Sequence, residues 1–184
     1  MPTVLVPLAQ GCEELEAVTI VDVLRRAGIT VVTAGLNEQP VRASRGVVLV
    51  PDTHLDQVME RAFDMMVLPG GIPGSDHLNE DPRVHQLLKR LSKEGKYTAA
   101  ICAAPKVLAR AGLLEDKSAT AYPGVLQPLQ LSNTHLMDTA VVKDDKVITS
   151  RGPGTAMDFA LTLVETLMGK KVREDVETGL VRDH

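Results

Sequence analysis

Tyr97-Thr-Ala-Ala-Ile101-Cys102-Ala103-Ala-Pro105 reads as a short apolar strand, Tyr97 to Ile101, that runs at once into a helix, Ala103 to Ala111. A strand followed immediately by a helix is the repeating unit of α/β proteins, and the same alternation extends along the chain in both directions. Upstream, Val4 to Leu8 reads as a first strand. Glu13 to Ala27 reads as a helix stopped at Gly28, and Thr30 to Ala34 as the next strand. Val41 to Val50 holds two β-rich pieces around Ser44-Arg45-Gly46, Leu55 to Ala62 reads as a short helix, and Asp64 to Pro69 as a buried-type strand. In Pro82 to Glu94, Val84, Leu87, Leu88 and Leu91 recur at helical spacing behind a proline suited to the first turn. Downstream, Leu136 to Val142 and Val147 to Ser150 flank Lys143-Asp-Asp-Lys146 as a hairpin, and Ala156 to Met168 is a long helix. The polar tail to His184 reads as one further short helix. Strands alternating with helices predict one domain, residues 1–184, with a mostly parallel sheet covered on both faces. Ligands of such sheets sit outside the carboxyl ends of the strands.

Composition narrows the function classes. The chain has 184 residues, 44% hydrophobic and 24% charged, which is a globular balance and enough to bury a substantial core. It has no Trp, two Tyr and two Phe, a net charge of −4 and no basic run. Base-stacking and phosphate-tracking surfaces are therefore not expected, and neither is nucleic-acid binding. No apolar stretch reaches the roughly 18 residues of a membrane span, and the N-terminus lacks the pattern of a signal peptide. Two cysteines, Cys12 and Cys102, are too few for a disulfide framework, so a cytoplasmic protein with reduced thiols is expected.

The carboxyl-end loops hold the chemistry. Cys102 sits where strand meets helix, and unpaired N–H groups at a helix start favour an anion, so a reactive thiolate is expected there. Three acids, Glu13, Glu14 and Glu16, open the first helix. Glu16 is expected to face Cys102 and, kept protonated by an apolar site, to hydrogen-bond its sulfur. Pro69-Gly70-Gly71 offers amides for an oxyanion, and no Gly-Lys-Ser/Thr follows that would make it a P-loop. Thr155 with Asp158 reads as a capping box. Arg26, Arg45 and Arg151 are candidates for an anion pocket or for ordinary surface pairs. The five histidines, His54, His77, His85, His135 and His184, show no metal spacing. Cys12 lies four residues before Glu16, so a helix reaching back to it would put a resolving thiol beside Cys102.

Taken together, Gly11-Cys-Glu-Glu-Leu-Glu16, Arg25-Arg-Ala-Gly28, Ser44-Arg45, Val67-Leu-Pro-Gly-Gly71, Ala99-Ala-Ile-Cys-Ala103 and Thr149-Ser-Arg-Gly-Pro-Gly-Thr155 resemble the ThiJ/PfpI superfamily. The likeness is nearest to its parkinsonism-associated deglycase branch and runs over nearly the whole chain. It implies a flavodoxin-like three-layer α/β sandwich and a homodimer, with the first helix and Arg25 and Arg26 at the seam. It implies Cys102 as nucleophile, Glu16 as its protonated partner, and the amides of Gly71 and Ala103 as the oxyanion site. The implied activity needs no cofactor or metal and acts on α-oxoaldehydes such as methylglyoxal and glyoxal, or on their adducts with proteins and nucleotides. The alternative is a redox sensor or chaperone in which Cys102 becomes a sulfinate without significant turnover. Two departures stand out. The peptidase branch has a His directly after the nucleophile where this chain has Ala103. Some deglycase relatives have a His where this chain has Tyr122. The His-x-Glu that class I glutamine amidotransferases place later is absent.

Overall fold

In a computed structural model of the chain, residues 1–182 are described; Asp183 and His184, the end of the polar tail, lie outside the described residues. Five parallel strands make the centre: β1 (Thr3–Leu8), β2 (Thr30–Gly35), β6 (Met65–Leu68), β7 (Tyr97–Ile101) and β11 (Val147–Ser150). The short β5 (Thr53–His54) adds parallel to β2 at one edge, and β10 (Val141–Asp144) pairs antiparallel with β11 at the other. The order across the sheet is β10-β11-β7-β6-β1-β2-β5. Its parallel core, read in order of appearance, is the 2-1-3-4-5 arrangement of flavodoxin-like folds, whose direction reverses between β1 and β6. Two small pairs lie outside the sheet. They are β3 (Val41–Arg42) with β4 (Val48–Leu49), antiparallel around Ser44-Arg45-Gly46, and β8 (Ser118–Ala119) with β9 (His135–Leu136), parallel.

The sheet separates two apolar cores because neighbouring strand residues point to opposite faces. Val4, Val6, Met65, Val67, Ala99 and Ile101 pack beneath α1 (Glu14–Arg26) and α5 (Ala156–Met168). Leu5, Met66, Leu68 and Ala100 face α3 (Pro82–Lys93) and α4 (Pro105–Arg110). The adjacent Met65 and Met66 therefore serve different cores. α6 (Lys170–Gly179) closes over α5, where buried Glu177 pairs with Arg173 and Arg182, and Arg182 also reaches Asp158.

Several local expectations are corrected. The helix expected over Leu55 to Ala62 is one 3-10 turn, Leu55–Val58, after which the Arg90 guanidinium binds the carbonyls of Met59 and Arg61. α2 (Gly74–Glu80) was not expected; it buries Leu78 as its one large apolar side chain, which leaves little periodicity to read. The hairpin strand starts at Val141 rather than Leu136, which belongs to β9. Thr155 does not form a capping box with Asp158. Its hydroxyl instead bonds Gly152 and Ser150, and Asp158 is drawn to Arg182. Among the described residues no helix is long and apolar enough to cross a membrane.

Candidate active site

The carboxyl ends of β1, β6, β7 and β11 converge on Cys102. The strand β7 ends at Ile101, and Cys102 itself adopts a left-handed backbone, φ 64°. That conformation is uncommon for a residue with a side chain. It is held from both sides: the Cys102 N–H donates to the Ser150 carbonyl at 3.0 Å, and its own carbonyl accepts from Tyr122 N–H at 2.9 Å. Because a trans peptide points its C=O and N–H in opposite directions, the Ala103 N–H is turned away from Tyr122 and onto the Cys102 sulfur, to which it hydrogen-bonds.

Gly70 and Gly71 supply the other wall. The Gly70 carbonyl accepts from Glu13 N–H at 3.0 Å, which turns the Gly71 N–H of the same peptide toward the Cys102 sulfur. The Gly70 N–H donates to Glu16 Oε2 at 2.8 Å. The start of α1 thus grips the Gly70 peptide on both sides. A Cβ on Gly70 would stand 2.6 Å from Cys102 Cβ and 2.8 Å from Glu16 Oε2, so nothing larger than glycine fits between nucleophile and acid. Glu16 is completely buried, its Oε1 has no hydrogen-bond partner, and Cys102 stands beside it across Gly70.

Electrostatics differ from the sequence expectation. Burial, rather than a helix terminus, dominates Cys102 and pushes its thiol from 9.0 to about 12, with the nearby Glu16 charge acting in the same direction. The expected stabilisation is weak for structural reasons. α4 starts at Pro105, which has no N–H, and the Ala104 N–H is spent on the Ile101 carbonyl. Burial likewise pushes the Glu16 carboxyl from 4.5 to about 7, opposed by the Gly70 N–H. Above pH 7 the pair therefore retains one proton between a thiol and a buried carboxylate. Such a carboxylate can take the thiol proton as sulfur attacks, while the Gly71 and Ala103 amides receive the charge that develops on the attacked oxygen.

The three acids of α1 divide the work. Glu13 caps the helix, and its carboxylate also accepts from the Ser44 hydroxyl. Glu14 accepts from the amides of Arg45 and Val47 and so ties down the β3–β4 hairpin. Only Glu16 reaches the nucleophile. Cys12 precedes the helix, whose cap is Glu13, so the four-residue helical relation to Glu16 does not hold; its thiol is completely buried and pushed up to about 12 by burial. The arginines do not form one pocket. Arg26 closes α1 at the opposite end of the sheet and pairs with Asp22, whereas Arg151 follows β11 at the site end and pairs with Asp138. Sequence reasoning gave the Gly70 amide an oxyanion role where it instead holds Glu16, and it missed the main-chain roles of Ser150 and Tyr122. Their contributions at Cys102 and Glu16 come from main chain, and the only available signal was the doubled glycine at Gly70-Gly71.

Two outcomes are expected. Gly70→Ala should slow alkylation of Cys102 at least tenfold and destabilise the fold by about 1–3 kcal/mol, the ordinary range for overpacking, read by iodoacetamide kinetics and urea unfolding. The alkylation rate of Cys102 should rise with pH to an inflection near 7, because below that value Glu16 holds its own proton and cannot accept the thiol's. Glu16→Gln should abolish that inflection; its persistence would remove Glu16 from the proton path.

The chain is similar to known proteins over nearly its whole length. Residues 2–166 match the DJ-1/PfpI family. Protein dj-1beta of Drosophila melanogaster is 48% identical over 178 residues, 96% of this chain and 95% of that one. Its crystal structure superposes with a TM-score of 0.95 at 47% identity, covering 100% of this chain and 99% of that chain. The glutathione-independent glyoxalase DJR-1.2 of Caenorhabditis elegans is 41% identical over 160 residues, 87% of this chain and 85% of that one. With a family model matched over residues 2–166 and a relative 48% identical over 96% of the chain, the chain belongs to the DJ-1/PfpI family.

Proposed function

We propose that this protein is a cofactor-free cysteine enzyme for α-oxoaldehydes such as methylglyoxal and glyoxal, or for their adducts on proteins and nucleotides. The observation that carries this reading is the convergence on one sulfur of two amides, Gly71 and Ala103, and one buried carboxyl, Glu16. Cys102 attacks the aldehyde carbon as its proton passes to Glu16, and the two amides hold the oxygen of the resulting hemithioacetal. Glu16 returns the thiol proton to that oxygen, giving the neutral hemithioacetal. As a carboxylate it then takes the proton from the former aldehyde carbon and, through an enediol, delivers it to the neighbouring carbon while the hydroxyl proton shifts to the second oxygen. This leaves a 2-hydroxyacyl thioester that water hydrolyses to lactate or glycolate. With an adduct as substrate, the amine or thiol carrier leaves. The family resemblance and the name of the glyoxalase relative support the substrate class. Tyr122 is assigned no base role; it holds the Cys102 carbonyl through its main-chain N–H. With Ala103 where the peptidase branch has a His, peptidase action is not proposed.

The same two amides would also hold the oxygens of a Cys102 sulfinate, which supports the alternative reading as an oxidation sensor. Purified protein should form lactate from methylglyoxal without added thiol. Cys102→Ser should abolish this, and Glu16→Gln should lower it about 10²-fold or more, as for loss of a general base. Absence of lactate alongside rapid conversion of Cys102 to sulfinate by peroxide would favour the sensor.

We also propose a cytoplasmic homodimer. Leu15 and Val18 on α1 and Val47, Val48 and Val50 around β4 are large apolar side chains left exposed, Val50 to 79%. Val18, Val50 and Arg25 line one groove of about 360 Å³ between α1 and β4. Light scattering at micromolar concentration should give twice the chain mass, and Val18→Asp with Val50→Asp should halve it; a wild-type monomer would refute the assembly.

A further inference from the structure

The groups at Cys102 handle an aldehyde and leave open what reads the rest of an adduct. Two segments that hydrogen-bond the Cys102 backbone, Tyr122 through its N–H and Ser150 through its carbonyl, continue into the walls of a separate cavity of about 310 Å³. Thr120, Tyr122, Leu126, Gln127 and Met137 line it, and Arg151, the residue after Ser150, closes it with Asp138. The Tyr122 ring is half-exposed and lies over Gly152, 3.3 Å from where a Cβ would stand, so it forms a wall of this cavity.

We propose that this cavity is a carrier subsite that seats a carboxylate of an amino-acid-sized thiol or amine carrier on Arg151, with Asp138 occupying the place of that carboxylate when the subsite is empty. Three observations converge. Arg151 is the more fixed partner, with its N–H bonded to the Ala140 carbonyl and its side chain 37% exposed, whereas Asp138 is 85% exposed and free to swing into water. The pair's closest N–O approach is 2.6 Å with Asp138 largely in water, the kind of surface pair a competing carboxylate displaces readily, and a guanidinium offers a second donor edge for bidentate pairing. The volume lies at the small end of ligand sites, roughly 300–1,000 Å³, which fits an amino-acid-sized body against Leu126 and Met137 rather than a nucleotide. The proposal rests on Cys102 being the nucleophile for carrier-borne aldehydes.

Two maleimides of similar size separate the subsite from the chemistry: neutral N-ethylmaleimide and anionic maleimidopropionate, with rates resolved at Cys102 by mass spectrometry. The anionic-to-neutral rate ratio should fall about tenfold in Arg151→Gln and rise several-fold in Asp138→Asn, where the resident carboxylate is gone. Opposite changes in two neighbouring variants cannot come from misfolding. A ratio unmoved by Arg151→Gln, or lowered by Asp138→Asn, would overturn the subsite. In turnover, methylglyoxal hemithioacetals of N-acetylcysteine and of its amide should differ in KM in the wild type and converge in Arg151→Gln. If no carrier is turned over while the maleimide ratios behave as stated, the enzymatic reading fails and the anion subsite stands.

Discussion

The left-handed backbone of Cys102 is the constraint on which the site depends. A residue with a side chain held in that region costs of order 1–3 kcal/mol and persists only where its surroundings over-determine it. Here β11 takes the N–H and the segment after β8 takes the carbonyl, so an inner strand of the sheet and a connecting loop share the task. The same carbonyl bond aims the Ala103 amide at the sulfur. Backbone strain and oxyanion geometry are thus one arrangement, and the order of strands β6, β7 and β11 makes it available.

Burial decides the chemistry of that arrangement. A charge at a helix end is worth about 0.3–1 kcal/mol in ordinary settings, less than a tenfold change in acidity. Removing Cys102 from water moves its thiol from 9.0 to about 12, a much larger effect in the opposite direction. Cys102 is therefore not a standing thiolate beside a charged Glu16, and the completely buried Glu16, lifted to about 7, is placed to accept a thiol proton at neutral pH. α1 contributes this acid, the amide of Glu13 that turns Gly71 toward sulfur, and the Glu14 carboxylate that secures the adjoining hairpin.

The sequence carried the central strands and the longer helices because β1, β7, α3 and α5 have strong apolar patterns with clear stops. The juxtaposition of Cys102 with Glu16 was legible because one stands at a strand end and the other in the first turn of the helix after β1, which the parallel topology brings to the same side. The short elements were not legible. α2 buries one large apolar residue, and β8 and β9 are two-residue pairings set by their surroundings rather than by propensity. Groups acting through main chain were also hidden, since a Tyr122 N–H looks the same in any residue but proline. The acidity of Cys102 was misread because a strand-to-helix junction does not reveal that Pro105 and Ala104 leave no donors free.

The glycines of the crevice bear on how such a site could be moved or redesigned. A Cβ on Gly71 would lie 2.6 Å from the Gly11 carbonyl oxygen, and one on Gly74 would lie 2.6 Å from Cys12 Cα. The loop after β1 and the loop after β6 therefore touch backbone to backbone at Gly71 and Gly74, and the Pro73 ring fills the space against Gly11. Neither loop is a module. Transplanting the cysteine and its acid to another parallel sheet would require carrying both loops as one rigid block, at the spacing of two adjacent strands, and grafting either one alone would leave the amides aimed at empty space.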